Sequence, residues 1–322
     1  MPKDIVVIGS GYWGKNLVRN FHELGALRGV CDINDAALAA ARERFAGLRA
    51  YAEPGGVFAD PAVRAVAVAT PAATHFALAR AALLAGKDVF VEKPLALSSA
   101  EGEALIAAAR SGGRILMVGH ILDYHPAVET LKRMIDAGEL GKIRYVYSSR
   151  LNLGRIRTEE NILWSFAPHD ISVLLLLLGE MPSEVVARGG TYLSPGVPDV
   201  TVTALAFPGG TRAHIFVSWL HPFKQQRLVV VGERKMAVFD DVGPGPKLVA
   251  HDYEIDWVAG RPVSHPEKPA PIAVDATEPL KLECRHFLEC LASRATPRTD
   301  GGKGLAVLRV LEACERSLKE GA

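Results

Sequence analysis

A carboxylate, an amine and a proline follow one another in Glu92-Lys93-Pro94, directly after the apolar run 88–91. The earlier apolar run 65–69 is followed directly by Thr70-Pro71. Both runs predict buried strands, and open α/β sheets bind their ligands at the carboxyl ends of strands. Lysine is costly to bury, so Lys93 must be solvated there or held for a purpose. We interpret Lys93 as a functional group of a ligand site.

A glycine-rich turn provides the second chemical signal. The apolar run 4–8 leads at once into Gly9-Ser-Gly11-Tyr-Trp-Gly14, and 15–24 has the pattern of a helix. In this context the first glycine makes the tight turn, the second lets the backbone approach a pyrophosphate, and the third packs helix on strand. The helix N-terminus adds N–H donors for the phosphates. The loop therefore predicts a dinucleotide site that includes Gly9, Gly11, Tyr12, Trp13 and Gly14.

An aspartate indicates which dinucleotide to expect. Asp32 ends the next apolar run, and Ile33 and Asn34 follow it rather than an arginine. A carboxylate at this place accepts hydrogen bonds from ribose hydroxyls and repels a 2′-phosphate. The sequence therefore predicts NAD rather than NADP; the alternative is an ordinary aspartate in a surface turn.

The composition excludes several classes of protein. The chain has 322 residues, with 37 basic and 36 acidic side chains and a net charge of +1, which gives no field to attract nucleic acid or a membrane. The four cysteines (Cys31, Cys284, Cys290 and Cys314) lack metal-ligand spacing and predict a reduced cytoplasmic protein without a metal site. A strand begins by residue 5, so no signal peptide is expected. The most apolar run, Ile171–Leu178, is too short to span a bilayer.

Alternating elements must position these groups in the first 120 residues. The predicted strands are 4–8, 27–31, 65–69, 88–91 and 115–118, and the predicted helices are 12–24, 35–45, 74–85 and 99–111. This alternation predicts an α/β domain, 1–120, with a doubly wound parallel sheet.

The rest of the chain, 121–322, predicts a second, α+β domain. Closely spaced strands with Gly and Pro turns indicate a large, mostly antiparallel open sheet. The predicted strands are 143–152, 184–191, 200–207, 211–219, 226–232 and 235–240, and the predicted helices are 126–137, 168–178, 277–293 and 301–319. The Pro/Gly-rich residues 243–275 are predicted to be irregular. The last helix is a candidate to pack back on the first domain, although its periodicity does not require this.

Several motifs occur together along the chain. They are the glycine loop, the turn Thr70-Pro71…His75, Ala85-Gly86-Lys87, Glu92-Lys93-Pro94, and His169 before an apolar helix. This set resembles the glucose–fructose oxidoreductase, inositol dehydrogenase and rhizopine catabolism (Gfo/Idh/MocA) family over nearly the whole chain. The resemblance implies a Rossmann domain that binds NAD(P), a second domain with an open antiparallel sheet, and homodimers or homotetramers built on that sheet.

The resemblance and the positions at strand ends assign roles to single residues. Lys93 and His169 are expected to be catalytic. The cofactor side is expected to include Thr70, Pro71, His75, Glu92, Lys93 and His120. The chain departs from the family pattern at Ala72, where asparagine usually follows Thr-Pro, and at Ser165, where an aspartate commonly precedes the catalytic histidine by four residues. The carboxylate nearest to His169 in sequence is Asp170. Because adjacent helix residues point about 100° apart, Asp170 does not simply replace the missing aspartate, and the partner that orients His169 is left open.

The position and chemistry of His169 also favour a catalytic role, independently of the family resemblance. Pro168 is well tolerated at a first helical position, so His169 is expected in the first turn of the helix 168–178. An imidazole takes a hydroxyl proton near neutral pH while a hydride leaves the carbon. The alternative is a histidine at a helix start that is satisfied by solvent.

Candidate substrate-binding groups lie in the second domain. Arg150, Arg155 and Arg157 bracket the loop 151–154, and a guanidinium binds a carboxylate or phosphate through two parallel hydrogen bonds. The alternative is ordinary charge at a strand edge. The predicted substrate-binding set is Tyr124, Arg155, Arg157, Asn161, Trp164 and Asp170.

Three segments suggest the substrate class through the family resemblance. The segments 119–126, 161–172 and 219–224 look most like the nucleotide-sugar members. Those members oxidise the 3-hydroxyl of UDP-N-acetylglucosamine or its uronic acid, so a 3-dehydrogenase of such a sugar is expected. A free-sugar or inositol dehydrogenase is the alternative. A non-catalytic NAD-sensing module is a third hypothesis, against which the presence of both Lys93 and His169 argues.

Overall fold

Short apolar runs near the N-terminus become parallel strands in the computed structural model, which describes residues 3–154, 156–158, 160–266 and 268–321. The strands are β1 Ile5–Ile8, β2 Leu27–Cys31, β3 Arg49–Tyr51, β4 Ala65–Val68, β5 Asp88–Glu92 and β6 Leu116–Gly119. They form a six-stranded sheet in the order β3-β2-β1-β4-β5-β6, with every neighbouring pair parallel. The predicted doubly wound parallel sheet is therefore confirmed.

Helices connect these strands. They are α1 Gly14–Glu23, α2 Asp35–Arg44, α3 Pro54–Ala59, α4 His75–Leu84 and α5 Ser99–Gly112. Asn34 and Ser98 begin α2 and α5 by accepting hydrogen bonds from N–H groups of the first turn. The sequence analysis missed β3 and α3, because β3 has only three residues and α3 starts with Pro54-Gly-Gly, a poor helix former.

A nine-stranded sheet follows further along the chain. Its strands are β7 Ile143–Leu151, β8 Glu184–Gly190, β9 Val200–Ala206, β10 Arg212–Ser218, β11 Gln225–Gly232, β12 Lys235–Asp240, β13 Leu248–Val258, β14 Arg261–Pro266 and β15 Ala270–Pro271. Their order is β14-β13-β12-β11-β7-β10-β9-β8, and β15 pairs with β13. Among the described strands, β7 and β10 pair in parallel and the other neighbours are antiparallel, as the sequence predicted for most of this sheet.

Residue alternation gives this sheet one covered and one open face. On β10, Ala213, Ile215 and Val217 are buried, whereas Arg212 and His214 are exposed on the other face. Two helices belong to this part of the chain, α6 Pro126–Asp136 and α7 Ile162–Leu178, and α7 packs on β7, β9 and β10. The covered face is therefore the one that supports α7.

Helix α7 begins six residues earlier than predicted. Asn161 caps it by accepting a hydrogen bond from the Trp164 N–H at 3.1 Å. Pro168 consequently lies inside the helix, and His169 lies in its interior rather than in its first turn. The prediction was wrong because it took the proline as a helix start and gave no weight to the asparagine cap.

Residues predicted to be irregular contain two long strands. β13 and β14 form a hairpin that turns at Ala259 and Gly260, which have φ of 51° and 75°. Two central residues at positive φ make the turn that suits the twist of a two-residue hairpin. The prediction of an irregular 243–275 was wrong because prolines and glycines on both sides of the strands hid their alternation.

The chain divides into two units, and the C-terminal helices are α8 Pro279–Ser293, in the first unit, and α9 Gly301–Glu320, with residues in both. The first unit comprises residues up to Ile121 with Glu278–Arg309, and the second comprises Leu122–Thr277 with the residues from Val310. Within the first unit, α8 packs on α1. The sequence division at residue 120 had placed all of α8 in the second domain. In the part of the chain that the structure describes, no helix is long and apolar enough to cross a membrane.

Candidate functional site

The glycine loop lies between β1 and α1, at the carboxyl edge of the parallel sheet. Gly9 has a φ of 89°, and a Cβ there would lie 2.9 Å from the Ala69 carbonyl oxygen. A Cβ on Gly14 would come within 1.9 Å of the Gly9 carbonyl oxygen. A Cβ on Gly11, by contrast, would meet no atom within 4 Å. The loop thus has a tight turn, a close packing contact and a stretch of backbone open to a pyrophosphate, which fits a dinucleotide.

Asp32 lies beside this loop, directly after β2. Its Oδ2 accepts hydrogen bonds from the Ser10 N–H at 2.7 Å and the Ser10 hydroxyl at 2.9 Å, and its Oδ1 accepts from the Asn34 N–H at 2.9 Å. Burial by itself raises the pKa of Asp32, but these hydrogen bonds outweigh it and the net pKa is lowered. The carboxylate is therefore ionised at neutral pH, as a carboxylate that repels a 2′-phosphate must be.

Glu92 is buried at the end of β5, 8% exposed. Its Oε1 accepts a hydrogen bond from Trp13 Nε1 at 2.5 Å. Burial raises the pKa of Glu92 to about 7, although the Trp13 hydrogen bond and the Lys93 charge act in the opposite direction. Both protonation states of Glu92 are therefore accessible near neutral pH, which sequence reasoning did not reveal.

Two lysines and a buried histidine lie at the same edge of the first unit. His120 is 1% exposed, and among the described residues neither of its ring nitrogens has a hydrogen-bond partner. Burial, then the charges of Lys303 and Lys93, lowers the pKa of His120 to about 3, so the ring is neutral at pH 7. A neutral imidazole offers one donor and one acceptor to a ligand. Lys303, in the first turn of α9, was missed because nothing in a charged amphipathic helix distinguishes it.

His75 joins the two strand ends that the sequence analysis singled out. Its Nδ1 lies 2.7 Å from the Pro94 carbonyl oxygen and its Nε2 lies 2.9 Å from the Thr70 carbonyl oxygen. The side chain is 1% exposed. His75 was predicted to line the cofactor side, which stays a prediction; in the structure its ring contacts the backbone of these two turns. Its contribution there is to hold the Thr70-Pro71 turn against the Lys93-Pro94 turn.

His169 and Asp170 are neighbours on α7 in the second unit and have different surroundings. His169 is partly exposed, whereas Asp170 is 4% exposed. Asp170 accepts hydrogen bonds from Arg150 Nε at 2.9 Å and from the Ser148 hydroxyl at 2.5 Å. Arg150 is itself 8% exposed. Asp170 and Arg150, both considered as substrate contacts, thus form a buried ion pair that ties α7 to β7.

The other predicted substrate-binding residues are spread over the second unit. Arg157 is partly exposed, and its Nη1 donates to Glu160 at 2.7 Å. The Trp164 indole N–H donates to Glu315, and the Asn161 side chain caps α7. Tyr124 is 1% exposed and is therefore a core residue. Arg155 lies outside the described residues.

Known proteins match both parts of this arrangement. A model of the oxidoreductase family with an NAD-binding Rossmann fold matches residues 3–120, and a model of the GFO/IDH/MocA C-terminal domain matches residues 128–238. The parallel sheet, the glycine loop and the charged carboxyl edge define an NAD-binding oxidoreductase. More specifically, the chain belongs to the Gfo/Idh/MocA family.

Individual relatives resemble the chain over nearly its full length. A UDP-N-acetylglucosamine 3-dehydrogenase from Acidithiobacillus ferrooxidans is 30% identical over 305 residues, 94% of this chain and 93% of that one. A solved structure of the enzyme of that name from the same organism has a TM-score of 0.86 at 27% identity and covers 98% of this chain and 97% of its own. An inositol 2-dehydrogenase from Burkholderia lata is 29% identical over 339 residues, 100% of this chain and 96% of that one.

Proposed function

We propose that the protein oxidises the 3-hydroxyl of a UDP-N-acetylglucosamine-type nucleotide sugar to a ketone, with NAD as the hydride acceptor. The observation that carries this proposal is the similarity to the UDP-N-acetylglucosamine 3-dehydrogenase, which extends over both units of the chain. Lys93 and His169 support it, because oxidation of an alcohol requires groups that hold the oxygen and remove its proton.

Lys93 and His169 divide the proton chemistry in this proposal. Two bases cannot take one proton, and the reference pKa of histidine, about 6.5, suits a base better than that of lysine, about 10.4. His169 therefore removes the hydroxyl proton. Lys93, as a cation, donates a hydrogen bond to the same oxygen and stabilises the developing negative charge. Bound NAD supplies the chemistry of hydride acceptance from the carbon.

A pH profile tests this division of roles. In His169→Ala we expect the acidic limb of kcat/KM, near about pH 6.5, to disappear with a rate loss of about 10²–10⁴. Lys93→Met should lose most activity and keep NAD binding. If His169→Ala keeps both the acidic limb and most of its rate, the proton goes to Lys93 instead.

The anionic part of a nucleotide sugar needs cations, and Arg157 is our candidate. Its side chain is 40% exposed and its partner Glu160 is 15% exposed, so the guanidinium reaches solvent while one nitrogen stays paired. Arg155, two residues earlier, is proposed with it from the sequence alone. A guanidinium matches the geometry of a phosphate better than an ammonium does.

An inositol or free-sugar dehydrogenase is the second candidate. The inositol 2-dehydrogenase from Burkholderia lata matches at almost the same identity and over the whole chain, which favours it. Such substrates carry no anionic group, so they give Arg157 nothing to bind. The two candidates therefore differ in whether neutralising Arg157 changes the KM.

A substrate panel with NAD separates these functions. We expect NADH and a ketone product, the latter identified by mass, from a UDP-N-acetylhexosamine or its uronate, and much slower turnover of free hexoses and inositols. Lys93→Met is the matched inactive control. Turnover of inositol alone would support the second candidate, and NAD binding without turnover of any sugar would indicate a non-catalytic NAD-sensing module.

We also propose that the open face of the nine-stranded sheet joins two or four copies of the chain. This face carries exposed Tyr145, Val186 and Val202, and it has a depression of about 540 Å³. Tyr147 and His214 stack there with ring centroids 5.2 Å apart. Exposed apolar side chains clustered on one sheet face are typical of a subunit interface. Light scattering of the wild type and of Val202→Glu should show an oligomer that the variant weakens; a wild-type monomer would contradict the proposal.

A further inference from the structure

A single hydrogen bond connects the glycine loop to the strand end that carries Lys93. Trp13 is the N-cap residue of α1, at the end of the loop, and Glu92 is the last residue of β5. The indole donates to Oε1 at 2.5 Å across 79 positions of sequence. Strand β4 separates β1 from β5 in the sheet, so the bond joins two elements that are not neighbours.

The position of this bond coincides with the place where a dinucleotide binds. In a sheet of order β3-β2-β1-β4-β5-β6 the strand order reverses between β1 and β4, and the crevice at that point accepts the cofactor. Trp13 belongs to the half on one side of the crevice and Glu92 to the half on the other. Any dinucleotide that reaches both halves therefore binds next to the Trp13–Glu92 bond.

A glycine makes room for the Glu92 carboxyl group. A Cβ on Gly119, at the end of β6, would lie 2.9 Å from Glu92 Oε2 and 3.0 Å from its Cδ. The carboxyl group thus rests against the backbone of β6 while the indole holds its other oxygen. Glycine at this position and tryptophan in the loop together determine where the carboxyl group lies.

Charged groups of both signs lie near Glu92. Lys93 follows it on the same strand, and on α9 Lys303 faces the neutral ring of His120 together with Lys93. On α8, burial and then the charges of Glu283 and Glu92 raise the pKa of the Cys284 thiol well above its ordinary range. Glu92 is therefore a carboxylate that interacts with the Lys93 charge at the end of β5.

We propose that Trp13 is a positioning residue that couples dinucleotide binding to the ionisation of Glu92. The oxidised nicotinamide ring carries a positive charge, which the neighbouring lysines repel and an ionised Glu92 attracts. The indole holds the carboxylate in place for this attraction. The reduced ring is neutral and gains little from it. The inference rests on NAD binding and does not depend on which sugar is the substrate.

The sign of the pH dependence follows from this coupling. Glu92 has a pKa of about 7 in the free protein, and attraction to the oxidised ring lowers that pKa in the complex. The extra affinity for NAD+ is fully present above pH 7 and is lost as the pH falls toward the pKa of the complex. Each unit of pKa difference changes the dissociation constant about tenfold. NADH should show little of this change.

Calorimetric titration of NAD+ and NADH from pH 5.5 to 8.5 measures the coupling without any sugar. In Glu92→Gln, which cannot titrate at this position, the NAD+ dissociation constant should lose most of its pH dependence across this range. Trp13→Phe removes the hydrogen bond that lowers the Glu92 pKa. The pH at which the NAD+ dissociation constant is halfway through its change should therefore rise by about one unit. Trp257→Phe, at a side chain 72% exposed on β13, is the matched control and should behave as the wild type.

Gly119→Ala provides an independent variant that keeps both partners of the bond. Its methyl group would displace the Glu92 carboxyl group from its place beside the Trp13 indole. The pH midpoint of the NAD+ dissociation constant should therefore move in this variant as well. Equal pH dependence for NAD+ and NADH, or an unchanged midpoint in Trp13→Phe, would overturn the proposal. Failure of the wild type to bind either nucleotide would instead contradict the NAD assignment on which the proposal rests.

Discussion

Replacing Asp170 by asparagine tests whether this residue anchors α7 rather than binding a substrate. The carboxylate is 4% exposed and pairs with Arg150, itself 8% exposed, at 2.9 Å. Breaking a buried ion pair by removing one charge costs about 3–5 kcal/mol, because the other charge stays buried and uncompensated. Asparagine keeps an oxygen that accepts the hydrogen bond from the Ser148 hydroxyl. We therefore expect a loss at the lower end of this range, about 3 kcal/mol in the free energy of unfolding.

Urea unfolding followed by tryptophan fluorescence measures this loss in the second unit, which contains three of the four tryptophans, Trp164, Trp219 and Trp257. Asp252→Asn is the matched control, because its pair with Lys235 has side chains 38% and 35% exposed. Removing a charge from such an exposed pair should cost less than about 1 kcal/mol.

A double variant checks the cause of the destabilisation. Asp170→Asn combined with Arg150→Met removes both charges and should recover part of the lost stability. A loss below about 1 kcal/mol in Asp170→Asn, together with a raised KM for the best substrate, would refute the anchoring argument and restore Asp170 as a substrate contact.

Three further substitutions follow from the same geometry. Asp32→Ala should weaken NAD binding and narrow the preference over NADP, since a charge repulsion disappears; tighter binding of NADP by the wild type would contradict the role of Asp32. Arg157→Ala should raise the KM for a nucleotide sugar about ten- to hundredfold, because a charge-assisted contact is worth about 1.5–3 kcal/mol. An unchanged KM would show that Arg157 is ordinary surface charge. His75→Ala removes the ring that lies within hydrogen-bond distance of the Thr70 and Pro94 carbonyl oxygens, one of which accepts its N–H, and should cost about 1–3 kcal/mol in the free energy of urea unfolding. Wild-type stability of this variant would show that the two turns hold without His75.

Much of the first unit could be predicted because local chemistry and topology agree there. The run Ile5–Ile8 and the glycines after it have one compatible structure, since Gly9 needs positive φ and Gly14 has no room for a Cβ. Strand alternation with helices then specifies a parallel sheet, and the carboxyl ends of β4 and β5 bring Thr70 and Lys93 to one edge. The doubly wound sheet and the NAD assignment follow from these features.

What could not be predicted depends on contacts between residues far apart in the sequence. Nothing near Asp170 indicates that Arg150 would take its carboxylate, and a pattern of single residues does not tell a buried ion pair from a substrate contact. The pKa of Glu92 depends in the same way on burial and on Trp13, 79 positions away. The hairpin β13–β14 was missed because prolines and glycines on both sides of its strands hid their alternation, and because residues 254–258 and 261–265 are exposed and have no buried face.

The most direct test of the proposed function follows the hydrogen at C3 of the sugar. UDP-N-acetylglucosamine with deuterium at C3 is incubated with the enzyme and NAD, and both products are analysed by mass spectrometry, with Lys93→Met as the inactive control. Our account predicts that the deuterium leaves the sugar and is found in the reduced nucleotide, with a 3-keto sugar as the other product. Reduced nucleotide without deuterium, or a sugar that keeps it under conditions where another polyol is oxidised, would contradict the account.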